Sequence, residues 1–170
     1  MKKSFLVVKL IIASLPCSLM AQSKDALMGT WKLVSARDTT ETGVTRDTFG
    51  PNPAGFLSYT ADGRVMAIIS NGGRKLLSTI DYVAAPLGER ADAFATFVAY
   101  AGTFTLEGNQ VTHHVEIGSV ENRVGTDLVR TILKLDSDQL ILRAPPAARG
   151  GVTATTVLVW RRWKAASTRH

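Results

Sequence analysis

Along most of this chain apolar and polar residues alternate in short runs, and turn-forming residues separate the runs. Residues 30–38 (TWKLVSARD) alternate and predict a first strand. A loop rich in glycine, proline and asparagine follows at 49–53. Segments 55–60 and 64–70 flank Ala61-Asp62-Gly63. Asp-Gly between apolar runs marks a tight hairpin, because glycine supplies the positive φ that such turns need. Asn71-Gly72-Gly73 ends that pair. Residues 86–98 predict the one helix. Pro86 suits a first turn, and Leu87, Ala91, Phe94, Ala95 and Val98 recur at spacings of three and four as one apolar stripe.

Five more strands are predicted. Segments 99–106 and 110–117 are joined by Glu107-Gly108-Asn109, and 126–135 and 139–144 by Asp136-Ser137-Asp138; a loop at 145–151 leads to the last strand, 153–163. Eight strands in meander order imply antiparallel neighbours. Closing the meander removes its two exposed edges. The expected fold is therefore all-β, an eight-stranded antiparallel up-and-down barrel with one short helix. Side chains then alternate between lumen and outside. Val111, His113, Val115 and Ile117 share one face, taken as interior, and Val129, Thr131, Leu133 and Leu135 share a face of their own strand.

The first residues carry a different pattern. Met1-Lys2-Lys3 is a positive start, 5–15 is a short apolar run interrupted by Lys9, and Ala21 precedes Gln22 at a credible cleavage point. This is the layout of a secretory signal and is too short for a membrane span. The expected organisation is a signal peptide over 1–21 and one barrel domain over 22–170, placed in the periplasm or secreted. No later run is apolar and long enough to span a membrane, so the mature protein is expected not to be membrane-spanning. Cys17, the one cysteine, falls in the leader. Pro16 before it does not suit a lipidation site, and the mature chain has no thiol for a disulfide or a metal. Losing Lys2, Lys3 and Lys9 lowers the net charge of +6 by 3, to +3. The remaining basic residues are scattered apart from Arg161, Arg162, Lys164 and Arg169, so no nucleic-acid partner is expected. Nothing in the pattern fixes an oligomeric state.

Met28-Gly29-Thr30-Trp31-Lys32-Leu33 resembles the Gly-x-Trp start of lipocalins. In that family the tryptophan plugs one end of the barrel and a late arginine packs over it. Arg161 or Arg162 would fill that part here, a cation–π lid of ~0.5–2 kcal/mol. The segment from Gly50 to Gly63 (GPNPAGFLSYTADG), Tyr100-Ala101-Gly102-Thr103-Phe104, the strand Val111-Thr112-His113-His114-Val115-Glu116, and Gly125-Thr126, Arg130 and Leu158-Val159-Trp160-Arg161-Arg162 are similar to the bacterial and fungal lipocalin-like domain family, in order over residues 27–163. The resemblance implies the barrel and no particular chemistry.

His113 and His114 are the most suggestive pair. Adjacent strand residues point to opposite faces, so the two do not bind one metal from the same side. No metal site and no cofactor is expected. A buried imidazole needs a partner, and Arg130, Tyr59 and Tyr100 are candidates. His113 then anchors the polar end of a ligand, acts as an acid/base near neutrality, or belongs to a structural network. Arg130 either pairs a ligand carboxylate bidentately or faces solvent. The helix either caps the barrel mouth or packs over one end. Phosphate loops, serine elbows and zinc-protease motifs are absent. The reading that follows is an exported protein holding a small, mainly apolar molecule through His113, His114, Arg130, Tyr59 and Tyr100. The alternative is a cofactor-independent isomerase or cyclase with a cavity histidine as acid/base.

Overall fold

The computed structural model describes residues 23–164. The expected leader, Cys17, the cleavage point after Ala21, Arg169 and His170 lie outside the described residues. The chain begins with a short helix α1 (Lys24–Leu27) and continues with β1 (Gly29–Thr40), β2 (Thr45–Asp47), β3 (Ala54–Tyr59) and β4 (Arg64–Ser70). Helix α2 (Leu87–Ala95), β5 (Phe97–Glu107) and β6 (Gln110–Gly118) follow, and a 3₁₀ turn (Glu121–Arg123) leads to β7 (Asp127–Leu135), β8 (Gln139–Arg143), β9 (Ala147–Arg149) and β10 (Val152–Arg162). All pairings are antiparallel. β1, β3 to β8 and β10 form a continuous sheet, and β1 pairs with β10 to close it. The expected eight-stranded barrel is therefore present. β2 and β9 are short additions on β1 and β10.

The tight turns of the β3–β4, β5–β6 and β7–β8 hairpins gather at one end, and that end is plugged. Trp31 is fully buried, its indole N–H donates to the Leu27 carbonyl at 2.9 Å, and α1 lies beneath it. Arg162 supplies the lid, with its guanidinium carbon 4.0 Å from the centroid of the Trp31 ring. The same guanidinium donates to the carbonyls of Met28, Ala26 and Ser137 at 2.6, 2.7 and 2.7 Å. Each of these carbonyls would otherwise lack a strand partner at the barrel rim. Arg161 points outward. Alternation explains the choice, since Arg162 has the parity of the buried Leu158 and Trp160.

Two expectations are corrected. The helix is shorter than 86–98, and its stripe covers nothing. Phe97 and Val98 instead open β5, opposite Ser70 and Ile69, and Leu87 and Phe94 are 75% and 60% exposed. A spacing of three and four marks a helix face but does not say what covers it. At its end, cross-strand pairing with β4 took the last two apolar residues. The second correction concerns parity. Ladder irregularities insert one extra residue at Val34, at Glu116 and at Leu133. Each flips the face of everything beyond it. Val111, His113 and Val115 are buried, but Ile117, past the bulge, is 67% exposed. In β7 the inward residues are Leu128, Arg130 and Ile132, then Leu135 after the bulge, while Leu133 is exposed. The face shared by Val129, Thr131 and Leu133 is the outer one.

The bulge at Glu116 has a local cause. Gly102 lies so close to the His114 carbonyl that a Cβ there would overlap it, and the two strands approach because this residue carries no side chain.

Candidate functional site

Inside the barrel β3, β5, β6 and β7 bring Tyr59, Tyr100, His113 and Arg130 together. His113 is buried, and each ring nitrogen meets one tyrosine hydroxyl, Nε2 with Tyr59 at 2.7 Å and Nδ1 with Tyr100 at 2.8 Å. Tyr59 is wedged edge-on against Phe104, with ring centroids 4.8 Å apart. Burial drives the electrostatics. It lowers the His113 pKa from 6.5 to about 3, helped by the charges of Arg130 and His114, so the imidazole is neutral at physiological pH. Burial likewise raises the phenol pKa of Tyr59 and of Tyr100, and nearby Arg130 partly opposes both shifts.

Beside this cluster lies an inner cavity of about 50 Å³, walled by Leu57, Ala67, Ile69, Val98, Leu142, Leu158 and Trp160 and by the polar groups of Tyr100, His113, Arg123 and Arg130. A wider mouth of about 290 Å³ adjoins it at the end away from Trp31. The two share Arg123, Arg130 and Leu158, and Val129, Ala144, Pro145, Ala147, Ala148 and Ala154 line the outer part. Arg130 donates to the carbonyl of Val129 at 2.8 Å, and among the described residues it has no carboxylate within salt-bridge distance. Its burial lowers its own pKa. Trp160 is 2% exposed, and its indole N–H has no hydrogen-bond acceptor among the described residues. Asp38, a carboxylate in the mouth, is buried and taken up by the hydroxyls of Thr48 and Thr156 at 2.8 and 2.7 Å and by Arg46 at 3.3 Å.

The family model for the lipocalin-like domain matches residues 28–163. The chain belongs to that family. No curated protein matches its sequence. Among solved structures, a lipocalin-like protein from Bacteroides uniformis is similar at 12% identity and a TM-score of 0.43, over 81% of this chain and 99% of that one. An uncharacterised protein from Bacteroides eggerthii is similar at 11% and 0.42, over 81% and 99%. A redesigned β-barrel is similar at 9% and 0.43, over 85% and 98%.

In this lipocalin-like barrel His114 stands apart from the other four sequence-selected residues. It faces outward, where Nδ1 bonds Asp127 at 2.6 Å and Nε2 meets the Thr105 hydroxyl at 3.1 Å. It cannot reach the lumen, for the reason that separated the two histidines at the outset: neighbouring residues of a strand project to opposite faces. Among the described residues no three potential metal ligands cluster. No helix among them is long and apolar enough to cross a membrane. No residue of α2 lines the cavity or the mouth, so the helix does not cap the opening.

Sequence reasoning missed Arg123, Trp160 and Asp38. Arg123 sits in a 3₁₀ turn of the β6–β7 connection, where no periodicity shows. Trp160 carried a usable signal, since it alternates with Leu158 and Arg162. Asp38 was legible as the end of the first strand, but its face depends on the bulge at Val34.

Proton bookkeeping orders the cluster. A neutral imidazole has one N–H and one bare nitrogen, so it donates to one tyrosine and accepts from the other. Among the described residues Tyr59 has no hydrogen-bond partner other than His113, and it lies off the cavity. If it received the imidazole proton, its own O–H would be buried with no acceptor, at a cost of ~1–3 kcal/mol. Tyr59 therefore donates to Nε2, Nδ1–H donates to Tyr100, and the Tyr100 O–H is left to donate into the cavity.

Proposed function

We propose that this chain is an exported binding protein that holds one small, mainly apolar molecule in its barrel, with the polar end of that molecule at Tyr100, His113 and Arg130. The observation that carries the reading is a buried polar cluster beside an inner cavity whose other walls are mainly apolar and which adjoins a wider mouth. Small-molecule sites have this composition, many apolar walls and a few convergent polar groups. The modest volumes favour a ligand smaller than those held by pockets of ~300–1,000 Å³. Export rests on the leader pattern of residues 1–21.

The isomerase or cyclase reading draws less support from this geometry. A histidine held neutral down to a pH of about 3 and engaged at both nitrogens is a poor general base at neutral pH.

The test is native mass spectrometry of the protein expressed with its leader, together with tryptophan fluorescence during titration with small apolar probes. The expected results are a retained or exchangeable small molecule and a change in the emission of Trp160. An interior that takes up no probe, charged or neutral, would overturn the proposal.

A further inference from the structure

Around the inner cavity, the side chains of the described residues are left with unused hydrogen-bond donors. Arg130 uses one N–H on the Val129 carbonyl and keeps the rest. Arg123, which shares the cavity wall, forms no salt bridge among the described residues. The Trp160 indole N–H is buried with no acceptor among the described residues. The proton arrangement around His113 leaves the Tyr100 O–H free. Of the nearby carboxylates, Asp38 is taken up by Thr48, Thr156 and Arg46, and Asp127 bonds His114 through Oδ1 with most of its side chain exposed. A guanidinium at the wall of an inner cavity, as Arg130 is, with a second at Arg123 and neither in a salt bridge among the described residues, is costly for a protein that binds nothing or binds a neutral molecule. That cost is removed by a partner that brings negative charge and accepts several hydrogen bonds.

We infer that the ligand is a small monocarboxylate whose carboxylate sits in the inner cavity, between Arg130 and Arg123 and within reach of the Trp160 and Tyr100 donors, while its apolar body fills the mouth. The inference rests on the lumen being a binding chamber and adds the class of ligand. Size separates head from body. The inner cavity of about 50 Å³ has room for a few waters at ~10–15 Å³ each, which suits a carboxylate and an adjoining carbon but not a whole apolar molecule. The mouth of about 290 Å³ takes the remainder against its alanines, Leu128, Pro145 and Leu158, while the polar groups of Asp38, Asp127 and Thr156 stand elsewhere on its wall. A planar carboxylate also matches the two-pronged donor fork of arginine, and a monoanion is less costly to dehydrate among apolar walls than a phosphate dianion.

The probes are 4-fluorocinnamate, its primary amide, and 4-fluorocinnamylamine, which share one apolar body, with 4-fluorobenzyl phosphate as the dianionic arm. Each is titrated into the purified full-length protein and followed by fluorine NMR. The carboxylate is expected to bind at least about tenfold more tightly than the amide and the phosphate, and the amine not to bind. Arg130→Gln is expected to weaken the carboxylate by about tenfold to a hundredfold while leaving the amide unchanged, the span for charge-assisted hydrogen bonds. Arg123→Gln, at the mouth, gives the same direction if Arg130→Gln fails to fold, and Trp160→Phe is expected to cost the carboxylate several-fold with the circular dichroism unchanged. Equal binding of carboxylate, amide and amine, tightest binding of the phosphate, or a carboxylate affinity untouched by both arginine variants overturns the inference and leaves the binding chamber standing. Silence from all four probes overturns both.

Discussion

His113 should make the stability of this protein fall as the pH drops, and the size of the effect follows from its surroundings. In the fold its pKa is lowered to about 3, against 6.5 for a free side chain. The unfolded chain therefore binds one more proton than the folded chain between those values. Stability rises with pH wherever that holds, so this contribution is complete above pH 6.5 and is lost as the pH falls towards 3. At ~1.4 kcal/mol per pH unit the gap amounts to about 5 kcal/mol, comparable to the whole stability of many small domains. The perturbation is His113→Gln. Glutamine keeps one donor and one acceptor for the hydroxyls of Tyr59 and Tyr100 but does not titrate. Its absolute stability will drop through imperfect packing. The informative quantity is the slope of unfolding free energy against pH, from urea titrations at several values between 4 and 7. Carboxylates common to both proteins cancel in the difference. Near pH 5 the wild-type slope should exceed that of the variant by ~1.4 kcal/mol per pH unit, the signature of one proton. Parallel slopes would refute the claim that this imidazole is neutral and sealed.

Three further outcomes are expected. Arg130→Met, which replaces an uncompensated guanidinium with an apolar side chain of similar length, should raise the unfolding free energy of the ligand-free protein by ~1–3 kcal/mol by chemical denaturation, a gain in stability at the site proposed for binding. Arg162→Met should cost ~2–4 kcal/mol, because it strands the Ala26, Met28 and Ser137 carbonyls and removes the lid from Trp31, whereas the outward Arg161→Met should change the thermal midpoint little. His114→Ala should cost under ~1 kcal/mol by the same denaturation assay, since its bond to Asp127 lies on the wet outer face with side chains 37% and 60% exposed. A large loss there would mean that the outer pair carries a structural load the geometry does not show.

Much of the site could be read before any coordinates. His113 lies on a strand with Val111 and Val115, and that spacing alone made it an interior residue in need of a hydrogen-bond partner. Tyr59, Tyr100 and Arg130 were named as candidates; the two tyrosines bond it, Tyr100 and Arg130 line the cavity, and Tyr59 lies off it. His114 was set on the opposite face from His113 by the same rule, and its inclusion with the ligand-binding residues fails on that rule. Parity was the weak point. Arg130 carried two equal readings because its face depended on where β7 meets β6, and the extra residue at Leu133 reverses the alternation that follows.

The sequence by itself determined the barrel: strand length, turn residues at Asp62-Gly63 and Glu107-Gly108-Asn109, and the apolar–polar alternation are local properties, fixed by backbone sterics and by side chains a few residues apart. Tertiary structure alone decided where the alternation breaks, at Val34, Glu116 and Leu133, and hence which residues face the lumen beyond each break. It alone left Leu87 and Phe94 uncovered, gathered Arg123 from a 3₁₀ turn to the wall shared by Arg130 and Trp160, and left both arginines without a salt bridge among the described residues. The physical reason is that a bulge, a buried charge without a partner and an orphaned indole N–H are all set by what lies across the barrel, from strands tens of residues away, and no short window of sequence contains both sides of such a contact.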